Sequence, residues 1–116
     1  MLVWDPEEVA TMFRTKAVME DNSSYRFAFN TRGGIATLIV FPYNGEVSLS
    51  VGEAGREWAV WRLYCTSVTY NDELPEEGGP SLALNPTNTM PPSHSVVIGQ
   101  REDGFEILTV FFDPSA

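Results

Sequence analysis

One cysteine, one histidine and one lysine are all that this chain of 116 residues holds of three residue types on which much protein chemistry depends. With Cys65 alone, no disulfide can close within the chain, and its cysteine usage does not point to an oxidising compartment. With His94 alone, a histidine-rich metal centre is excluded, and one His with one Cys does not complete a tetrahedral zinc site. Lys16 is the only lysine, and 7 basic residues stand against 16 acidic ones, for a net charge of -9. A protein that neutralises phosphates needs the opposite balance, so no nucleic-acid partner is expected.

Other absences narrow the field further. No Gly-x-x-x-x-Gly-Lys-Ser/Thr loop, Gly-x-Gly-x-x-Gly or Gly-x-Ser-x-Gly occurs, which removes support for a phosphate cradle, a dinucleotide site or a nucleophile elbow. No apolar run approaches the roughly 18 to 20 residues needed to span a bilayer, and the N-terminus lacks a basic region followed by an apolar one. A cytoplasmic protein without a membrane partner is the expectation. No cofactor or metal is expected.

What the chain does contain is apolar material, 43% hydrophobic and 12% aromatic, which is enough for one core and argues against wholesale disorder. A single domain over residues 1–116 is expected. Asp5-Pro6-Glu7-Glu8 has the features of a helix start: a capping carboxylate, a proline with its torsion pre-set, and acids at the positive dipole end. Val9, Met12, Phe13 and Ala17 follow at helical spacing, predicting a helix over 6–19 with a core-facing stripe.

From Tyr25 onward the period changes from helical to the two-residue alternation of strands. Strands are predicted near 25–31, 35–41, 46–51, 57–70, 95–99 and 105–113. Turn signals separate them at Arg32-Gly33-Gly34, Asn44-Gly45, Gly52 to Arg56 and Asp103-Gly104. The fold class is α+β: an N-terminal helix packed on a strongly curved, mainly antiparallel sheet of about six strands, a β-meander that approaches a barrel. Residues 71–94, with five prolines, read as a long loop whose Leu82-Ala83-Leu84 dip lies down on the body.

Three of these strands, 35–41, 58–65 and 105–112, carry large apolar groups on both faces, yet only one helix is available as cover. Either the sheet curls and covers itself, or the long loop folds over it, or another chain docks there. Partial curling together with self-association or partner binding is the expectation.

Candidate sites are few. Asp72, Glu73, Glu76 and Glu77 cluster in the long loop without the alternate-position acids and glycine of a calcium-binding EF-hand, so they read as a solvated run or as a surface for a basic partner. A pocket inside a curled sheet would be lined by Phe27, Phe29, Trp61 and Tyr64, with Arg62 as an anion anchor. A Cys65–His94 nucleophilic pair is formally possible, but Cys65 falls in phase with Trp61 and Leu63, where an inert buried thiol is the commoner state.

By elimination the chain reads as a small acidic binding protein, not an enzyme, that acts through protein–protein contacts in the manner of an immunity-type or phage-type inhibitor. The helix followed by Gly33-Gly34-Ile35-Ala36-Thr37-Leu38-Ile39-Val40-Phe41 resembles small bacterial immunity proteins in outline, with no diagnostic motif, and no family is inferred from it. Its partner is another protein or a second copy, a homodimer. The alternatives are a self-assembling structural domain and a small-molecule-binding curved sheet.

Overall fold

The computed structural model describes residues 2–53, 56–71, 80–87, 93–101 and 104–112. One short helix, α1 (Pro6–Met12), precedes seven strands: β1 (Tyr25–Thr31), β2 (Gly34–Phe41), β3 (Glu46–Glu53), β4 (Arg56–Asn71), β5 (Ser81–Pro86), β6 (Ser93–Arg101) and β7 (Gly104–Phe112). Consecutive strands pair antiparallel from β1 to β7. The sheet then closes into a ring through one parallel pair, Thr31 with Phe105. The expected curved α+β meander is what forms, with the curvature carried to closure in an irregular ring.

Alternation decides which side chains go inside. In β1 Phe27 and Phe29 are buried while Arg26, Ala28 and Asn30 are exposed. In β2 and β3 the inward set is Ala36, Leu38, Val40, Val47, Leu49 and Val51. Cys65, Val68, Leu82, Leu84, Val96 and Ile98 complete the lining. Each large aliphatic side chain taken fully from water contributes roughly 1.5 to 3 kcal/mol, so this inner face is the main source of stability.

The helix is shorter than its apolar spacing suggests. Asp5 caps it, its carboxylate accepting from the Glu7 N–H at 2.9 Å, but Phe13 is already the C-terminal cap and Arg14 has a left-handed backbone (φ 55°). The predicted continuation to residue 19 is therefore corrected: Phe13 completes the buried stripe, and Ala17 packs against the core from the irregular segment that follows.

A seventh strand joins the expected sheet of about six, because the Leu82-Ala83-Leu84 dip, read as part of the long loop 71–94, is a full strand, β5, paired on both sides. Pro80 lies just before it and Pro86 at its last position, where a missing N–H costs the ladder nothing. Asn85 ties β5 to β4 by donating to the hydroxyls of Ser67 and Thr69, each at 3.0 Å. The long strand β4 shifts register between Cys65 and Ser67. There the N-terminal segment enters: the Val3 N–H donates to the Thr66 carbonyl and the Val68 N–H to the Val3 carbonyl, both at 3.0 Å.

Candidate functional site

The ring has two faces: the inner one is buried, and several described residues of the outer one are exposed. On the outer face of β2, Ile35 is 55% exposed and Ile39 and Phe41 are half-buried. The partners of these residues on β3 are small or polar: Gly52 opposite Ile35, Ser50 opposite Thr37, Ser48 opposite Ile39 and Glu46 opposite Phe41. Next across, β4 sets Val60 opposite Ser50, Arg62 opposite Ser48 and Tyr64 opposite Glu46. Val60 and Tyr64 are 47% and 63% exposed.

The arrangement is a shallow floor of Ser48 and Ser50 on β3 between two mainly apolar rails, Ile35, Thr37, Ile39 and Phe41 of β2 on one side and Val60, Arg62 and Tyr64 of β4 on the other. From strand geometry it extends about 20 Å along the strands and about 10 Å across the three strand axes. Exposed Tyr43 stands in the turn at the Phe41 end. The turn depends on Gly45, which has φ 77° and lies so close to β4 that an added Cβ would sit 2.7 Å from the Cys65 carbonyl oxygen. The Gly45 N–H donates to the Phe41 carbonyl at 3.0 Å and the Cys65 N–H donates to the Gly45 carbonyl at 2.8 Å, which ties the turn to β4.

The electrostatics of this face differ from those of the chain as a whole. Against the net charge of -9, strands β1 to β4 are balanced, with Arg26, Arg56 and Arg62 against Glu46, Glu53 and Glu57. Arg26 is engaged by Glu20 at 3.0 Å, with both side chains well exposed. Arg62 is exposed and makes no ion pair with a described residue, so its guanidinium is available to an incoming carboxylate or carbonyl.

The five residues of the expected pocket are not brought together. Phe27 and Phe29 are buried core, packed by aromatic neighbours: Phe13 stacks on Phe29 at 4.3 Å, and Trp4 meets Phe27 edge-on at 6.2 Å. Trp61 is half-buried against the same core, whereas Arg62 and Tyr64 belong to the opposite, outer face. Asp72, Glu73, Glu76 and Glu77 lie outside the described residues. Residue His94 is on β6 opposite Phe111, not in a loop, and its side chain lies outside those described.

Cys65 is buried, and burial pushes its thiol up to about 11. A thiol in that state is a core side chain rather than a nucleophile at neutral pH. Among the described residues, no group of three or more His, Cys, Asp and Glu side chains could hold a metal ion, and Ser24 is the one buried polar residue. No described helix is long and apolar enough to cross a membrane.

The surplus of apolar residues on 35–41 and 58–65 was the signal in the sequence for the outer face. Nothing in the sequence marked Trp4, whose ring also packs edge-on against Tyr25 at 5.1 Å. Compared with known proteins, the chain matches no family model, no curated protein and no solved structure.

Proposed function

We propose that this chain is a small acidic, non-catalytic binding protein that acts through protein–protein contacts, with the outer face of β2, β3 and β4 as the contact surface. The observation that carries this reading is the exposure of Ile35, Val60 and Tyr64 on one continuous face around a serine floor. Apolar groups grouped on a flat sheet surface are used where a partner excludes water from them, and aromatic and arginine side chains serve as anchors in such contacts. Tyr64 and Arg62 occupy those roles here.

An interior filled by aliphatic and aromatic side chains and a thiol held neutral by burial support a binding role over a catalytic one. An inhibitor of the immunity or phage type fits this description: rigid, acidic in total, and presenting one preformed face. Its partner would offer an extended apolar surface with a carboxylate for Arg62, and a basic rim to meet the acids of the chain.

The test is affinity capture with the native chain beside an Ile35→Asp, Val60→Glu double variant whose circular dichroism matches the native spectrum. Loss of a captured protein from the variant supports the outer face, and equal capture by both chains removes it. In parallel, neutralising Asp72, Glu73, Glu76 and Glu77 together should slow association most at low salt if the acidic loop steers the encounter. An unchanged rate removes the loop from the reading.

A further inference from the structure

The segment that precedes β1 is fastened to the closed sheet by little backbone and much side chain. Three hydrogen bonds, each at 3.0 Å, hold its start: the Leu2 N–H donates to the Pro42 carbonyl, the Val3 N–H to the Thr66 carbonyl, and the Val68 N–H to the Val3 carbonyl. On β4 the ladder with β3 ends at Tyr64, and Val3 bridges Ser67 beyond that point as a single parallel pair. Side chains supply the rest of the attachment, because Leu2, Val9, Ala10, Met12 and Phe13 are buried in the core that the sheet encloses.

This segment is built to be held by its contacts and not by itself. An isolated helix needs roughly 12 to 15 residues to persist in water, and α1 has seven. Its end is strained as well. The Arg14 N–H donates to the Thr11 carbonyl at 3.2 Å and the Thr15 N–H to the Ala10 carbonyl at 2.9 Å, the paired bonds of a cap that normally places glycine where Arg14 has φ 55°. Arg14, Thr15 and Lys16 are exposed and lie in neither helix nor strand, so the chain can swing there without breaking a ladder.

At the tip of the segment, Phe13 fills a flat apolar slot. Its phenyl group is stacked on Phe29 at 4.3 Å with 7° between the planes, meets Phe105 edge-on at 5.0 Å, and leans on Phe27 at 6.3 Å. Stacked and edge-on contacts are the two arrangements that aromatic groups prefer. The walls of the slot belong to β1 and β7, whereas its occupant arrives on the preceding segment.

We infer that residues 2–13 are an autoinhibitory strap: Phe13 occupies, as an internal ligand, a slot on Phe27, Phe29 and Phe105 that takes a small uncharged aromatic molecule when the strap swings out at residues 14–16. The class of ligand follows from the imprint of Phe13, which has the size and flatness of a benzene ring and meets phenyl groups on three sides. A charged ligand would lose its water there without gaining a polar partner from these walls. Because the open form is the minor one, affinity for the ligand is reduced by the fraction of chains that are open. The slot lies inside the closed sheet, so this inference goes beyond the contact surface proposed on the outer face of β2, β3 and β4 and does not depend on it.

The test is a fluorine NMR titration with fluorobenzene, run beside a reversible lock on the strap. Neighbouring strands lie about 4.7 to 4.9 Å apart, inside the Cα separation of about 4.4 to 6.8 Å that a disulfide spans. Val3→Cys with Ser67→Cys should therefore close a bond across the parallel pair, while the native Cys65 is buried and stays out of it. The native chain should bind the probe, the oxidised lock should weaken binding at least about tenfold, and reduction should restore it. Phe13→Ala, which empties the slot, should bind at least about tenfold more tightly than the native chain, and Arg14→Gly, which relaxes the cap and holds the strap down, more weakly. Ile35→Asp with Val60→Glu should leave the titration unchanged, which separates the slot from the outer face. The inference is overturned by a native chain that takes up no probe at millimolar concentration, by a locked chain that binds as the native one does, or by a folded Phe13→Ala chain that gains no affinity.

Discussion

The meander from β1 to β4 and the seam between β7 and β1 are built from the same kinds of residue, yet they close in different ways. In the meander each strand meets its neighbour along seven or eight pairs, interrupted only by a register shift between Val51 and Gly52, with short turns at residues 32–33 and 42–45. At the seam a single backbone pair closes the ring, and side chains do the rest: Phe13 from the end of α1 stacks on Phe29, and Phe105 packs edge-on against both, at 5.0 Å and 5.3 Å. Consecutive strands joined by short turns form ladders at small entropic cost. A pair that joins residue 31 to residue 105 must close a long loop first, and here an aromatic plug offsets that cost.

This contrast predicts graded effects. The largest belongs to the meander wall: Leu38→Ala, at a fully buried position, should lower unfolding free energy by about 2 to 5 kcal/mol in denaturant titration. Leu108→Ala, at an exposed position on β7, should stay within about 0.5 kcal/mol. Phe13→Ala tests the plug. It should cost about 3 kcal/mol, and if it costs no more than an exposed substitution, the aromatic cluster does not close the ring.

Next in size is the thiol. Since burial raises Cys65 from 9.0 to about 11 in the folded chain, its contribution to stability is fully present below pH 9 and is lost as pH rises toward 11, where the unfolded thiol has ionised and the folded one resists. The loss should be about 2 kcal/mol by thermal unfolding across that window, and absent in Cys65→Ala. Gly104 tests the seam backbone: with φ 132° and an added Cβ placed 3.0 Å from the Asn30 carbonyl oxygen, Gly104→Ala should cost about 1 to 3 kcal/mol. A small effect is also expected at the helix cap, where Asp5→Ala should cost about 1 kcal/mol or less, because a seven-residue helix is held mainly by its packing.

Much of the meander was legible beforehand. The alternation Tyr25-Phe27-Phe29, the Asn44-Gly45 turn and the cap at Asp5 are local patterns, and each behaves as its local chemistry requires. The helix end was not legible, because Ala17 continues the apolar spacing even though the chain has turned aside at Arg14. Strand β5 was hidden by its flanking prolines. A proline is compatible with a strand end, and only the presence of β4 and β6 on either side shows that Ser81–Pro86 is such a place.

The candidate site divides in the same way. That β2 and β4 are apolar on both faces is plain from their residues. Which face turns inward is not, since Ile35, Ile39 and Phe41 are as apolar as Ala36, Leu38 and Val40. Closure of the ring chose the smaller set for the interior, where neighbouring strands crowd together, and left the larger on the surface. The same closure separated Trp61 from Arg62 and Tyr64, which the expected pocket had placed together. Turns, caps and strand periods depend on residues a few positions apart, so the order of amino acids settles them. The seam at Thr31 and Phe105 and the outward choice of Ile35, Val60 and Tyr64 depend on contacts between distant segments. They exist only once the chain has closed on itself.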